Sequence, residues 1–469
     1  MTVNVFNNYK LQFVAAVTGC LSIMCSGCTY GWAAPFIPYL TAPDSPVPIT
    51  NQQGSLLIST QEYGGIVGGI TGAFIVNKIG RKYSILLAAP IFAIGWLVMA
   101  QIVSFEVLLF ARFMGGLASG LAYTVIPIYI GEISSPEIRG VLGCLFQIIF
   151  IIGLLSFNIL GNLINVKVAS YFGAVIPVVQ LVSFIFMPES PYYLIKKNKL
   201  ESAEAALHKL NNGKDVDVIL KRIVEALKEE ESVGKVSKLE LFTDPVNRKA
   251  VFITFGVRFF QQATGFCAIN FYVKNIFIEV DTGLSPSIIS IVYFSLQLAS
   301  CFINLGLIDK TGRKPLLIYS FLGTCLANLV SCVFFYLNTV IDFSETYYRF
   351  VPVITLLVFV IIFNVGLAAT PMVLLGEYFN TRVKGMALAL ADMYCSVLIV
   401  IVVTFFQYTN DNVGLYVPFG VFMLFGLVGL AFVYYCMPET KGLTLEQIQM
   451  YLKGKSDDKL QKDSESCVK

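Results

Sequence analysis

Long apolar stretches alternate with short polar ones along almost the whole chain. Twelve of them, near 11–33, 55–76, 84–104, 107–130, 141–163, 171–187, 249–277, 285–308, 316–337, 350–375, 386–407 and 415–437, each run 17 residues or more. Roughly 20 residues rising about 1.5 Å apiece cross the hydrocarbon of a bilayer. Backbone inside lipid must bond to itself, so runs of this length are helices. The pattern predicts an all-α polytopic membrane protein of twelve transmembrane helices. One large polar segment interrupts it, with Lys196, Lys197, Lys199, Glu201, Glu204, His208, Lys209 and the run Lys228-Glu229-Glu230-Glu231 at spacings that suit short amphipathic helices. The chain therefore divides into a six-helix bundle over 1–187, a cytoplasmic helical bridge over 188–248, a second six-helix bundle over 249–437 and a cytoplasmic tail over 438–469.

Composition agrees. Hydrophobic residues make up 56% and charged residues 13%, and the mean hydropathy of +0.73 points to lipid as the main solvent. Of 11 cysteines all but Cys467 fall in apolar runs, and the single histidine, His208, sits in a charged segment. That is neither a disulfide framework nor a ligand-spaced metal cluster. The expectation is a protein that is not an enzyme, without catalytic residues, metal, cofactor or nucleic-acid partner. No G-x-x-x-x-G-K-[ST] loop supports an ATP-driven pump, and no filter-like Gly-rich loop supports a channel. The ten residues before Leu11 are short and polar, so the first span is expected to act as its own signal anchor.

Charge placement orients the spans. With both termini cytoplasmic, 28 Lys and Arg fall inside, three (Lys167, Lys274, Arg349) outside and two (Arg112, Arg258) within spans. The tail carries no retention signal, which leaves the plasma membrane as the default. The loops also repeat. Asn77-Lys78-Ile79-Gly80-Arg81-Lys82 matches Asp309-Lys310-Thr311-Gly312-Arg313-Lys314. Gly131-Glu132 with Arg139-Gly140 matches Gly376-Glu377 with Lys384-Gly385, and Pro188-Glu189-Ser190 matches Pro438-Glu439-Thr440. The pairs lie 232, 245 and 250 residues apart. Such a repeat implies two similar halves about a pseudo-two-fold axis along the membrane normal, with a substrate site between them near mid-depth. Arg81, Arg139, Arg313 and Lys384 can bind the carboxylates of Glu132, Glu189, Glu377 and Glu439. One reading is a cytoplasmic gate that breaks and reforms during alternating access; the other is a topology signal with lipid-headgroup contact.

These loops, with Pro188-Glu189-Ser190-Pro191, Gln261-Gln262 followed by Thr264-Gly265, and Pro438-Glu439-Thr440-Lys441-Gly442, resemble the sugar porters of the major facilitator superfamily. Gly31-Trp32 and Pro35 are most similar to the insect facilitated trehalose and hexose transporters. The resemblance implies a sugar-binding glutamine at Gln147, the span-seven pair at Gln261 and Gln262, and site positions at Gln297 and Asn364. Cys267 replaces the family's asparagine, Ala368, Ala369 and Met372 interrupt its glycine-proline and tryptophan pattern, and Cys395-Ser396 stand for an asparagine-tryptophan pair.

The residues read alone point the same way. Gln297, Ser300 and Asn304 form one helical stripe, Gln147 and Asn158 a second, and Gln261, Gly265, Ala268 and Tyr272 a third. Amides donate and accept, as sugar hydroxyls do, and no cluster of formal charge accompanies them. Hydrogen bonding between helices is the alternative for each. Glu62 and Arg112 lie at matching depths, as do Arg258 and Asp392, which allows two intramembrane ion pairs. The alternative makes Glu62 or Asp392 a proton carrier. Proton-coupled sugar porters place an aspartate in span one, near Ala33 here. The expected function is alternating-access transport of a neutral sugar (hexose, trehalose or a related polyol) by facilitated diffusion, with sugar and lipid as partners. Proton symport is one alternative. A non-transporting sugar sensor is the other, and its usual long tail does not match residues 438–469.

Overall fold

The computed structural model describes residues 9–101, 103–135, 138–213, 216–232, 240–340, 346–379, 381–441 and 445–452, and no strand occurs among them. In chain order the helices begin with α1 (Lys10–Gly31), α2 (Ala33–Thr41), α3 (Asn51–Ile79), α4 (Arg81–Met99), α5 (Phe105–Ile133), α6 (Arg139–Leu163) and α7 (Val166–Phe184). The polar segment follows with α8 (Pro191–Lys196), α9 (Leu200–Leu210), α10 (Val216–Ser232) and α11 (Glu240–Thr243). Then come α12 (Pro245–Ala263), α13 (Phe266–Val280), α14 (Pro286–Thr311), α15 (Arg313–Val340), α16 (Phe350–Val365), α17 (Thr370–Tyr378), α18 (Thr381–Asn412), α19 (Tyr416–Cys436) and α20 (Leu445–Leu452).

Among the described residues, ten helical stretches are long and apolar enough to cross a membrane, counting α1 with α2 and α16 with α17 as one each. Two of the twelve expected spans are helical but more polar. The first is α3, diluted by Gln52, Gln53, Gln61, Glu62 and its glycines. It starts cleanly, because Thr50 and Gln53 form a reciprocal cap: the Thr50 hydroxyl accepts from the Gln53 amide at 3.2 Å and the Gln53 side chain accepts from the Thr50 amide at 2.9 Å. Its glycines then let it press against α5. A Cβ on Gly68 would fall 2.1 Å from the Leu117 carbonyl oxygen, and one on Gly116 1.9 Å from that of Gln61. Small residues that bring backbones together are how helices associate in lipid.

The second is the expected span 249–277, which is not one helix. It breaks at Thr264-Gly265 into α12 and α13, and the break also cuts the stripe expected from Gln261 through Tyr272. Gly265 has φ +84°, and a Cβ there would sit 2.1 Å from the Phe422 ring. Asn328 donates its amide to the Thr264 carbonyl at 3.2 Å, which satisfies an acceptor that the break releases.

The outer faces are apolar and the interior holds the polar groups. On α7, Val175, Val178 and Val182 are more than half exposed, whereas Ser170 and Gln180 are fully buried. Gln180 spends its amide on the Ile85 carbonyl of α4 at 3.1 Å. The polar segment packs a small core of its own around Ala203, Leu207, Val216 and Ile223. Gln12, fully buried at the start of α1, fastens it: its side-chain nitrogen donates to Asn211 Oδ1 at 2.8 Å and to Ser135 Oγ at 2.9 Å, while its oxygen accepts from the Ser135 amide at 2.9 Å.

Contacts divide the chain into two compact units. One takes the chain up to Gly234 with Cys267–Leu298 and Ile399–Asp411; the other takes Lys235–Phe266, Ala299–Leu398 and the chain from Asn412. The first has its core between α1, α4, α5, α6 and α7, with Ile23, Phe92, Val125, Tyr129 and Phe184 at its centre. In the second, aromatic rings carry much of the packing, including Phe335 stacked on Phe419 with centroids 5.5 Å apart.

Gly265→Ala is expected to destabilise the protein by more than about 2 kcal/mol, because it adds left-handed backbone strain to an overlap with Phe422. Thermal unfolding in detergent measures it. A variant as stable as the parent would show that the break does not need this glycine.

Candidate functional site

The second helix break organises the polar residues of the second unit. Pro371 has no N–H, so the Leu367 carbonyl four residues earlier loses its helical donor. Gln261 replaces it, donating Nε2 to Leu367 O at 2.6 Å. Asn304 donates to the Val365 carbonyl, and Ser320 donates to Ile362 O at 2.8 Å while accepting from the Leu367 amide at 3.2 Å. Gln261 and Asn304 are at most 4% exposed. Their amides therefore hold the chain at the end of α16 and in the segment 366–369 that follows it. Asn364, also buried, turns its amide nitrogen back to Val360 O at 2.7 Å in its own helix. Gln262 is buried beside Gln261.

Arg258 lies one turn before Gln261 on α12. It donates Nη1 to Gln261 Oε1 at 3.2 Å, meets the Met372 sulfur through Nη2, and stands 3.9 Å from Asp392 Oδ1 on α18. The charge is thus tied to the broken segment on one side and to a carboxylate on the other.

The first unit holds the other residues singled out from the sequence. Gln147 is half-buried on α6 and Gln297 buried on α14. Arg112, 1% exposed, donates to the carbonyls of Thr29 at 2.5 Å and Leu57 at 3.2 Å, and its guanidinium lies 5.0 Å from the Trp32 ring centroid. Glu62 accepts from the Tyr30 hydroxyl at 2.6 Å and acts electrostatically on Arg112. Carbonyls, an aromatic face and a nearby carboxylate share the work of holding a buried cation.

Sequence reasoning missed several polar residues here. Tyr30 stacks on Phe271 of α13, with centroids 5.6 Å apart. Tyr293 donates to Asn270 Oδ1 at 2.7 Å, and Ser290 to Asn158 Oδ1 at 3.4 Å. Lys274, counted above with the outside charges although the span 249–277 includes it, lies within α13 and donates to Asn162 Oδ1 at 2.6 Å. The expected span runs on to residue 277, and only the charge count places this lysine outside it. A helix with Phe271, Tyr272, Ile276 and Phe277 buried around it carries the chain on to Val280.

At the other ends of the helices the repeated loop motifs build two copies of one arrangement. Glu189 accepts the backbone N–H groups of Arg81 at 3.0 Å and Lys82 at 3.1 Å, capping the N-terminus of α4. Gly80, at φ +99°, leaves room for that carboxylate: a Cβ there would lie 2.3 Å from Glu189 Oε2. The Arg81 side chain forks onto Glu132 at 2.8 and 2.7 Å, and the Ser190 hydroxyl donates to the same carboxylate. Burial pushes the Glu189 carboxyl up from its ordinary value, while its N–H donors and Arg81 pull it down. In the second unit Glu439 accepts from the amides of Arg313 at 3.0 Å and Lys314 at 2.9 Å. Arg313 binds Glu377 at 2.9 Å, and the Thr440 hydroxyl donates to Glu377 at 2.6 Å. Lys384 donates to the Gly376 carbonyl at 2.9 Å. The Arg139 side chain lies outside the described residues. Each of these bonds joins residues of a single unit.

The family model described as "Sugar (and other) transporter" matches residues 11–452. Among curated relatives, the chain is 30% identical over 450 residues to the facilitated trehalose transporter Tret1 of Culex quinquefasciatus, spanning 95% of this chain and 86% of that one. It is 29% identical over 447 residues to Tret1 of Aedes aegypti, of which it spans 55%, with 95% of this chain aligned. Among solved structures it is similar to the inward-open xylose transporter XylE from E. coli, with TM-score 0.76, 22% identity and coverage of 94% of this chain and 99% of that one. It is also similar to the proton:xylose symporter XylE bound to 6-bromo-6-deoxy-D-glucose, with TM-score 0.73, 22% identity, and coverage of 95% and 100%. The fold is that of the major facilitator superfamily.

If Gln261 holds the Leu367 carbonyl, Gln261→Leu costs about 1–3 kcal/mol of stability. In a Pro371→Ala background, which restores a helical N–H to that carbonyl, the same change costs about 1 kcal/mol less. Thermal unfolding of the four proteins measures the coupling, and strictly additive effects would contradict it.

Proposed function

The chain belongs to the sugar transporter family, and from that premise we propose that it carries an uncharged sugar, a hexose, trehalose or related polyol, across the membrane by facilitated diffusion. The observation that carries this reading is the duplicated clamp. Arg81, Glu132 and Glu189 bind helix ends of one unit, and Arg313, Glu377 and Glu439 bind those of the other. A clamp closed within each unit keeps that unit stiff, which suits a carrier whose parts move as bodies about a central site. In this reading the bundles are 1–187 and 249–437, with 188–248 and both termini on the cytoplasmic side of the plasma membrane. Gln147, Gln261, Gln262, Gln297 and Asn364 line the route, and amides of this kind suit hydroxyls. Gln261 then has two duties, since the Leu367 carbonyl takes its donor side and Arg258 takes one of the two lone pairs of its oxygen.

Facilitated diffusion is preferred over symport because Ala33 occupies the region where proton-coupled relatives carry an acid. Glu62 and Asp392 are each engaged with neighbours, through Tyr30 and Arg258. Trehalose enters as a candidate through the names of the insect relatives, and a pentose through that of XylE.

Reconstituted into liposomes, the protein is expected to equilibrate labelled glucose or trehalose without accumulating it, at a rate unchanged by a protonophore. Accumulation driven by an inward proton gradient would favour the symporter. Saturable binding without flux would favour the sensor.

A further inference from the structure

Lys274 is the one cation among the described residues of α13, and its hydrogen-bond partner is an amide rather than a carboxylate. Its ammonium group donates to Asn162 Oδ1 at 2.6 Å, and no carboxylate lies at ion-pair distance from it among the described residues. Asn162 in turn uses its amide nitrogen on the Asn158 carbonyl at 2.9 Å. Asn158 is fully buried, and its Oδ1 accepts from Ser290 Oγ at 3.4 Å, yet its Nδ2 has no partner. All four residues belong to the first unit. Asn158 lies eleven residues after Gln147 on the same face of α6, the face assigned to the substrate.

The hydrogen-bond directions matter. The Asn162 oxygen is taken by Lys274, while the Asn158 oxygen lies 3.4 Å from both Asn162 Nδ2 and the Ser290 hydroxyl, whose proton has a nearer acceptor in Ser287 O at 2.8 Å. What is left over are donors: the remaining N–H bonds of the Lys274 ammonium and the Asn158 amide nitrogen. A half-buried cation with only a neutral partner, linked through Asn162 to a residue with an unused buried donor, is matched by an anionic oxygen. We propose that Lys274 and Asn158 form an oxyanion subsite, through which the carrier recognises sugars bearing a carboxylate, of the hexuronate class, as well as neutral ones. This rests on the sugar-carrier reading but extends it: the uncharged amide face acquires a charged edge at a lysine that the sequence analysis used only as an orientation signal.

The test is binding to the purified, detergent-solubilised protein, which does not require transport. Thermal-shift titrations use sodium glucuronate, glucose and sodium chloride on the parent, Lys274→Met and Lys274→Arg. The subsite predicts that glucuronate binds the parent, and that its affinity relative to glucose falls at least about tenfold in Lys274→Met, the loss of one charge-assisted hydrogen bond. Lys274→Arg, which keeps the charge, is expected to retain most of that preference. The proposal is overturned if glucuronate does not bind the parent, or if Lys274→Met lowers both sugars equally. It is also overturned if chloride alone produces the same Lys274-dependent shift, since the site would then serve a free ion. Absence of glucose flux in liposomes, with Lys274-dependent glucuronate binding intact, would instead count against the carrier reading alone.

Discussion

A carbonyl in lipid that loses its helical partner must find another, and much of this structure follows from that constraint. Two of the interrupted helices, those broken at Thr264-Gly265 and across 366–369, expose backbone groups that the bilayer cannot solvate. Asn328 answers the first, and Gln261, Asn304 and Ser320 the second. The amides most readily taken for sugar ligands are thus partly committed to holding irregular backbone. A break held in this way stays defined, and defined irregular backbone inside a membrane protein belongs where it lines a cavity.

The same economy governs charge. Arg258 is shared between the broken segment and Asp392, and Arg112 between two carbonyls, the Trp32 ring and the field of Glu62. At the helix ends, glutamates bind backbone N–H groups at glycine-opened helix starts and leave the arginine side chains to reach the neighbouring helix. Each clamp joins a helix start, a helix end and the following loop within one unit, so it stiffens a bundle. The gate reading drawn from the loops alone had no way to distinguish bonds within a unit from bonds across units.

The fold was legible because lipid imposes a coarse rule, and long apolar runs obey it. Ten stretches could be recognised by hydropathy alone. The remaining two needed other signals: α3 is diluted by glycines that its packing against α5 requires, and the 249–277 run is split by a residue whose φ no hydropathy average reports. The repeated Pro-Glu-Ser and Pro-Glu-Thr motifs were visible, but the use of Ser190 and Thr440 as second donors to Glu132 and Glu377 was not. Pro371 was the missed clue. A proline inside an expected span frees the carbonyl four residues before it, and that arithmetic points to Leu367 and to whatever donor lies beside it. Lys274 was lost for the opposite reason, because a lone lysine near a span end entered only the charge count that orients the chain.

Hydrogen–deuterium exchange across residues 364–373, in sugar-free detergent, tests the central claim most directly. With Ser320 and the flanking carbonyls holding the amides of Leu367, Ala368 and Thr370, exchange there should be slow, and Ser320→Ala should quicken it while α16 stays protected. Rapid exchange of this stretch in the parent protein would mean the break is an unpaired loop, and the account of the buried amides would be wrong.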